Sequence, residues 1–270
     1  MEIPFVKISP TQNITILVTA PVPRERQPEV AAGLLAYDSV GGEQVGFLEA
    51  PTLPRAHMRL QMMGGEFCGN ATMSAGAYLA WKSGVRDGTV DYMLEVSGAS
   101  GLVPCRIERE GNLFRGTVHM PLPEGFAEVE LETDHGPLRV PMVKMPGIFH
   151  VILPADTGVE RAEIERRIRS WSEVVQAEAL GILRYDEAGQ SMEPIVYVPA
   201  TDSAVWEHGC GSGTAALSCW KAWSARQPFR GEIRQPGGTI GAAADYANGI
   251  ITNLSITGVV KIAASGVAYL

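Results

Sequence analysis

Hydrophobic and polar residues alternate over short stretches along most of this chain. Runs with a two-residue period fall at Ile14–Thr19, Gln44–Glu49, Met58–Met63, Val90–Val96, Leu113–Met120, Phe149–Leu153, Pro194–Val198, Thr239–Ala243, Ile250–Ile256 and Val259–Ala264. Each reads as a strand, because alternate side chains of a strand face opposite sides of its sheet. Turn residues punctuate them at Gly41-Gly42, Gly111-Asn112 and Pro236-Gly237-Gly238. Asn248-Gly249, between two strand-like runs, predicts a type I′ hairpin. Two segments, Pro28–Tyr37 and Glu160–Ala179, have helical periodicity, the second with Ile164, Ile168, Trp171 and Val175 on one side. Two more, Gly69–Lys82 and Gly211–Arg226, have no clear polar face. A helix that is apolar all round is predicted to lie enclosed, here by the strands that flank it.

Those two helices begin alike. Glu66-Phe67-Cys68-Gly69-Asn70-Ala71-Thr72 aligns with His208-Gly209-Cys210-Gly211-Ser212-Gly213-Thr214, at an offset of 210 − 68 = 142 residues. A single repeat of half the chain predicts two similar domains, unlike the periods of roughly 20–50 residues that build solenoids. The expected fold class is α+β, with two pseudo-symmetric domains, each a curved, mostly antiparallel sheet around a central buried helix. The domains are expected at 1–122, completed by a last strand at 259–270, and at 123–258.

Composition narrows the function classes. The 270 residues are 46% hydrophobic and 19% charged, a globular balance. The formal net charge of −8 argues against nucleic acid as a partner. No apolar run reaches the ~18 residues of a membrane span, and the first residues lack signal-peptide character, so a cytoplasmic protein is expected. Four cysteines are too few for a disulfide scaffold, and none are paired at zinc-site spacing, so no metal is expected. Gly209-Cys210-Gly211-Ser212-Gly213 is neither the dinucleotide fingerprint nor a P-loop. The five lysines show no Schiff-base context.

Cys68 and Cys210 each stand where a glycine-containing turn meets a helix start. The first N–H groups of a helix lack internal acceptors and, with the helix dipole, make an anion site. The same field lowers a thiol pKa from its ordinary ~8.5. Two such sites in equivalent places suit a shared ligand, and one chemistry needs two facing thiols. Inverting an amino-acid α-carbon takes a base on one face and an acid on the other. N–H donors at Gly69, Asn70, Gly211 and Ser212 would hold the α-carboxylate while charge develops. No cofactor is required. Cys105, in an apolar strand, and Cys219, inside the second helix, read as buried packing residues.

These motifs resemble the diaminopimelate epimerase superfamily, which also holds phenazine-biosynthesis isomerases and proline racemases. The resemblance covers essentially the whole chain: Asn13-Ile14-Thr15, Gly42-Glu43-Gln44-Val45, the two Cys-Gly starts, Gln235-Pro236-Gly237-Gly238 and Ile256-Thr257-Gly258. It implies two diaminopimelate-epimerase-like domains. Two departures weigh against diaminopimelate as substrate. Gly147-Ile148-Phe149-His150 stands where those epimerases carry Gly-Asn-Pro-His, and Pro199–Asp202 replaces their Glu-Arg pair. The strings around Glu43, Cys68 and Cys210 are similar to the histidine racemases of staphylopine-type metallophore synthesis. In that branch glutamates matching Glu43 and Glu207 accompany the cysteines. The resemblance therefore implies a cofactor-independent two-base racemase of L- and D-histidine. Cys68 and Cys210 would be its acid and base, and Asn13, Glu43, Gln44 and Glu207 would lie around the amino group and side chain. Diaminopimelate or another amino acid is the alternative substrate, and a non-catalytic two-domain amino-acid-binding protein is the alternative from another class. The oligomeric state is open, with a homodimer as the candidate.

Overall fold

A computed structural model describes all 270 residues. The chain is mostly strand, with four helices of nine residues or more. In order it forms β1 (Glu2–Pro10), β2 (Thr15–Val18), α1 (Gln27–Leu35), β3 (Gln44–Glu49), β4 (Met58–Met62), α2 (Gly69–Lys82), β5 (Asp87–Val96), β6 (Leu102–Glu110) and β7 (Leu113–His119). It continues with β8 (Gly125–Thr133), β9 (Gly136–Met145), β10 (Ile148–Pro154), α3 (Arg161–Val175), β11 (Leu180–Asp186) and β12 (Ser191–Val198). The last elements are β13 (Ser203–Trp206), α4 (Gly211–Ala225), β14 (Phe229–Gln235), β15 (Gly238–Ala247) and β16 (Ile250–Tyr269). No helix is long and apolar enough to cross a membrane.

The chain divides into two compact units, Met1–Met120 with Ile256–Leu270, and Pro121–Ser255. Most strand pairs are antiparallel, but β2–β3, β4–β5, β10–β11 and β12–β14 are parallel. A parallel neighbour needs a crossover, and each of these crossovers carries a helix. β16 is one strand of 20 residues, where the sequence pattern suggested two. Gly258 is no break in it: a Cβ there would lie 3.1 Å from Thr11 Oγ1, so it is a site of close approach. Asn248 and Gly249 have φ of 53° and 87°, the two positive values a type I′ hairpin demands.

In the first unit the strand order β1-β2-β3-β4-β5-β6-β7-β16 closes through a β1–β16 pairing into a barrel of eight strands. α2 lies against β1, β2, β4, β5, β6 and β7, and Gly69–Ala77 and Ala80 are buried. Small residues make that fit. A Cβ on Gly76 would stand 2.6 Å from Cys105 Sγ, and one on Gly116 of β7 would stand 3.0 Å from Met73 Cβ. α1 covers another face, burying Val30, Ala31 and Leu34 against Ile16, Val45 and Phe47.

The second unit has the order β16-β15-β14-β12-β11-β10-β9-β8, with β13 added to β12. α4 packs on β9, β10, β14 and β15, while α3 packs on β8 and β12. α3 buries Ile164, Ile168, Trp171 and Val175 and ends at Gln176, whose φ of 54° stops the helix before Leu180 starts β11. Trp171 is fully enclosed and donates from Nε1 to Glu132 O at 2.9 Å. Truncating such a side chain costs about 3–5 kcal/mol. β8 ends this sheet, and Glu128, Glu130 and Glu132 alternate along it on the solvent side.

One buried carboxylate steadies the approach to α2. Glu95 of β5 accepts from Thr52 N and Oγ1 at 2.7 Å, from Leu53 N at 3.0 Å, and from Arg59. Two residues on, Ser97 Oγ accepts from Met62 N at 2.9 Å and donates to Glu66 O at 2.8 Å, fixing the chain that enters Cys68. Burial alone would push the Glu95 carboxyl up, but the bonds from Thr52, Leu53 and Arg59 outweigh it and hold it at about 2, below the ordinary 4.5. A depressed carboxylate adds stability that is complete above pH 4.5 and is lost as pH falls toward 2. Denaturant titrations are therefore expected to find Glu95→Gln less stable than the parent at pH 7, with the gap closing as pH approaches 2. A gap of constant size across that range would contradict the assignment.

Candidate active site

Each enclosed helix starts from a cysteine. Cys68 is the N-cap of α2 in extended conformation (φ −131°, ψ 112°), and its Sγ accepts from Ala71 N at 3.4 Å. The usual N-cap residues are Ser, Thr, Asp and Asn; here a sulfur takes one of the orphan N–H groups instead. Thr72 returns both its N–H (2.9 Å) and its hydroxyl (2.7 Å) to Cys68 O. Cys210 is the N-cap of α4 (φ −99°, ψ 105°), with Sγ accepting from Gly213 N at 3.3 Å. Thr214 donates to Cys210 O from N at 3.1 Å and from Oγ1 at 2.7 Å.

The surroundings of the sulfurs differ. In the first unit Cys68 is half-buried, and its Sγ donates to Gln44 Oε1 at 3.1 Å. Gln44 Nε2 donates to Asn13 Oδ1 (2.7 Å) and Thr15 Oγ1 (2.8 Å), and Asn13 Nδ2 donates to Glu43 Oε2 (2.8 Å). Donation thus runs Cys68 to Gln44 to Asn13 to Glu43, from a thiol to a carboxylate through two amides. The parallel β2–β3 pair sets this up: Thr15 is in register with Gln44, and Glu43 N donates to Ile14 O at 2.9 Å. Of the residues singled out from sequence, Asn13, Glu43, Gln44 and Cys68 are brought together, with Gly69 and Asn70 forming the first turn of α2.

In the second unit Cys210 is buried. Its Sγ lies 3.5 Å from Ser212 Oγ, and Ser212 Oγ lies 3.1 Å from His150 Nε2. Burial pushes the Cys210 thiol well above its ordinary value, and the charge and hydrogen bond of Glu207 push it further; Ser212 and the Gly213 N–H only partly oppose them. The helix-start field expected from sequence to lower both thiols is thus overcome at Cys210. Full burial likewise drives His150 down to about 3, so its imidazole is neutral. β10 carries His150 beside Gly181 of β11, where a Cβ would stand 2.1 Å from Nδ1, so only glycine leaves space for the ring. Glu207, Cys210, Gly211 and Ser212 are therefore grouped, and the sulfur is poised to keep its proton.

Cys105 and Cys219 are enclosed, and burial takes both thiols to about 12. No three or more His, Cys, Asp or Glu side chains group closely enough to hold a metal ion. Four contributors escaped the sequence reading. Thr72 and Thr214 were visible as a shared Thr four residues after each cysteine, without a role. His150 closes the Gly147-Ile148-Phe149-His150 string, whose lack of an asparagine is its plainest sequence feature. Gln235, whose amide takes the Cys210 N–H at 2.7 Å, stands in the Gln235-Pro236-Gly237-Gly238 motif, which gave it no role.

Residues 2–269 match the family model described as Histidine racemase CntK N-terminal domain. A histidine racemase of Staphylococcus aureus is 29% identical over 274 residues, spanning 99% of this chain and 98% of its own. A histidine racemase of Fusobacterium nucleatum subsp. nucleatum is 29% identical over 273 residues, spanning 98% and 97%. Among solved structures, a hydroxyproline epimerase of Agrobacterium vitis with bound trans-4-OH-L-proline superposes with a TM-score of 0.73 over 100% of this chain and 93% of that one. At 14% identity, that likeness establishes a shared fold.

The electrostatics of Cys210 give a direct expectation. Glu207→Gln removes both a like charge and a bond that favour the thiol, so the pKa of Cys210 falls. Alkylation of Cys210, followed by peptide mass spectrometry across pH 7–10, is expected to begin at lower pH than in the parent. An unchanged profile would show that burial alone sets the value.

Proposed function

This chain belongs to the family of the histidine racemase CntK N-terminal domain, and on that premise we propose that it interconverts L- and D-histidine without a cofactor, using Cys68 and Cys210 as paired acid and base. The observation that carries the reading is the matched N-cap. Two cysteines 142 residues apart hold their sulfurs against the third N–H of a helix and their carbonyls against a threonine hydroxyl.

In one direction Cys68 starts as thiolate and takes the α-proton of the substrate. Loss of its own proton removes the bond to Gln44 Oε1 and leaves the Ala71 N–H and the first-turn dipoles of α2 facing the sulfur. The carbon's electron pair spreads into the α-carboxylate. First-turn N–H groups of Gly69, Asn70, Gly211 and Ser212 hold that carboxylate and stabilise its added charge. Cys210 then delivers its proton to the opposite face and becomes thiolate. The reverse reaction exchanges the roles, and both sulfurs return to their starting states by proton exchange with water. Glu207 beside Cys210, together with its burial, supports that residue as the resting acid. Asn13, Gln44 and Glu43 orient Cys68 and lie near the substrate amine. D-histidine made this way would serve opine-type metallophore synthesis.

The reading treats the two compact units as two domains, near 1–122 with 259–270 and 123–258, built on one pseudo-symmetric, diaminopimelate-epimerase-like plan. Each unit runs strand, outer helix, strands, inner helix and strand, with β13 as an additional strand before the inner helix of the second, and this supports the plan. It also requires both sulfurs to reach one α-carbon.

Incubation of L-histidine in deuterated water is expected to yield D-histidine carrying deuterium at the α-carbon. Cys68→Ser and Cys210→Ser should each lower that rate by roughly 10²–10⁴-fold, the usual weight of a positioned acid or base. Histidine binding without exchange would make the protein a binding module, and full exchange in either serine variant would overturn the two-thiol scheme. A disulfide-forming oxidant is expected to join Cys68 to Cys210 and abolish activity until a thiol reductant is added. Oxidised protein that stays active with Cys68 free would contradict convergence on one carbon.

A further inference from the structure

A helix start is best sealed by a capping box, in which the N-cap side chain takes the N3 N–H and an N3 Glu or Gln takes the N-cap N–H. α4 has half of one. Cys210 Sγ accepts the N–H of Gly213, the third helical residue, but Gly213 has no side chain to return. None fits, since a Cβ there would lie 2.7 Å from Leu183 and 3.1 Å from Cys210 Sγ. The missing half comes from another element. Gln235, at the end of β14, accepts the Cys210 N–H through Oε1 at 2.7 Å. Its Nε2 donates to Thr214 Oγ1 at 2.7 Å, and that hydroxyl donates to Cys210 O at 2.7 Å. Gly237 N, two residues on, donates to His208 O at 2.7 Å and fixes the approach to the cysteine.

We propose that Gln235 is the positioning residue for Cys210. The three bonds form a closed ring in which every group donates in the same sense, so each polarises the next. The ring grips both backbone groups of one residue, the N–H and the carbonyl of Cys210. Its members are buried: Cys210 is 1% exposed, Thr214 0% and Gln235 8%. With both peptide planes held, the direction of the Cα–Cβ bond is set, and the sulfur can leave the Gly213 N–H only by rotating about that bond. Gln235 therefore acts on the reaction through the aim of the thiol and touches no substrate. The inference rests on Cys210 being one of the two catalytic thiols.

The test uses Gln235→Met, which keeps the length and removes both polar atoms, together with Thr214→Val, Thr214→Ser and Cys210→Ser. Histidine racemisation gives kcat and KM. Iodoacetamide labelling gives the ratio of Cys210 to Cys68 alkylation, a readout independent of turnover. Gln235→Met is expected to lower kcat on the order of 10²-fold, the usual effect of misplacing a reacting group by about 1 Å, with KM little changed. It is also expected to shift the alkylation ratio. Thr214→Val should reproduce both effects, the double variant should be no worse than either single one, and Thr214→Ser should recover most of the kcat lost in Thr214→Val. If Gln235→Met fails to fold, the Val and Ser pair at Thr214 decides. Parent-like kcat and an unchanged ratio in the ring-broken variants, with Cys210→Ser inactive, would overturn the role of Gln235, as would a change confined to KM. An active Cys210→Ser would instead overturn the two-thiol scheme, and the alkylation ratio would still report whether Gln235 aims the sulfur.

Discussion

The bond from the third helical N–H to an N-cap sulfur is a modest interaction, yet the local architecture follows from it. A side chain that accepts this N–H must leave the helix axis at a fixed angle, so the sulfur cannot wander while the helix stays formed. The helices themselves are fixed. α2 is enclosed by the barrel of the first unit, and α4 is packed against four strands of the second. Small residues on and opposite α2 make the enclosure tight, as at Gly76 against Cys105 and Met73 against Gly116. A reactive atom on a rigid element needs no ordering when substrate arrives. The glycine that follows each cysteine leaves the backbone of the first turn uncovered by a side chain.

The same local geometry carries two different sets of neighbours around the sulfur. At Cys68 the thiol donates to the Gln44 amide, and hydrogen bonds lead on from Gln44 through Asn13 to Glu43. At Cys210 the carboxylate of Glu207 acts on the sulfur directly, in an enclosed setting. Desolvation and like charge act in the same direction there, and two N–H or O–H donors do not offset them.

The helices were the most legible part of the sequence. The start of α2 and α4 could be read to the residue because glycine follows each cysteine and no polar face interrupts the segment. Edge-like and proline-bearing strands were harder. β9 contains Pro137 and Pro141, β6 contains Pro104, and β8 was obscured by its glutamates although Val129 and Leu131 alternate with them. The helix drawn to Ala179 stops at Val175 because Gln176 turns left-handed, which periodicity does not encode. Around the cysteines, the two Cys-Gly helix starts were readable because they repeat. His150 and Gln235 were not, since their roles arise from pairing: β10 with β11 in one case, and the turn after β14 meeting His208 in the other. Asn13 and Glu43, 30 residues apart, meet only through a parallel strand pair that local sequence cannot specify.

The terminal strand β8 has a consequence for the fate of the chain in concentrated solution. A sheet whose last strand has one open edge offers a template on which further strands can assemble, the first step toward fibrils. Here an incoming identical strand would have to bring a second row of negative charges beside Glu128, Glu130 and Glu132. The ladder thus acts as a gatekeeper, tolerating an open border in the second unit that the closed barrel of the first does not have.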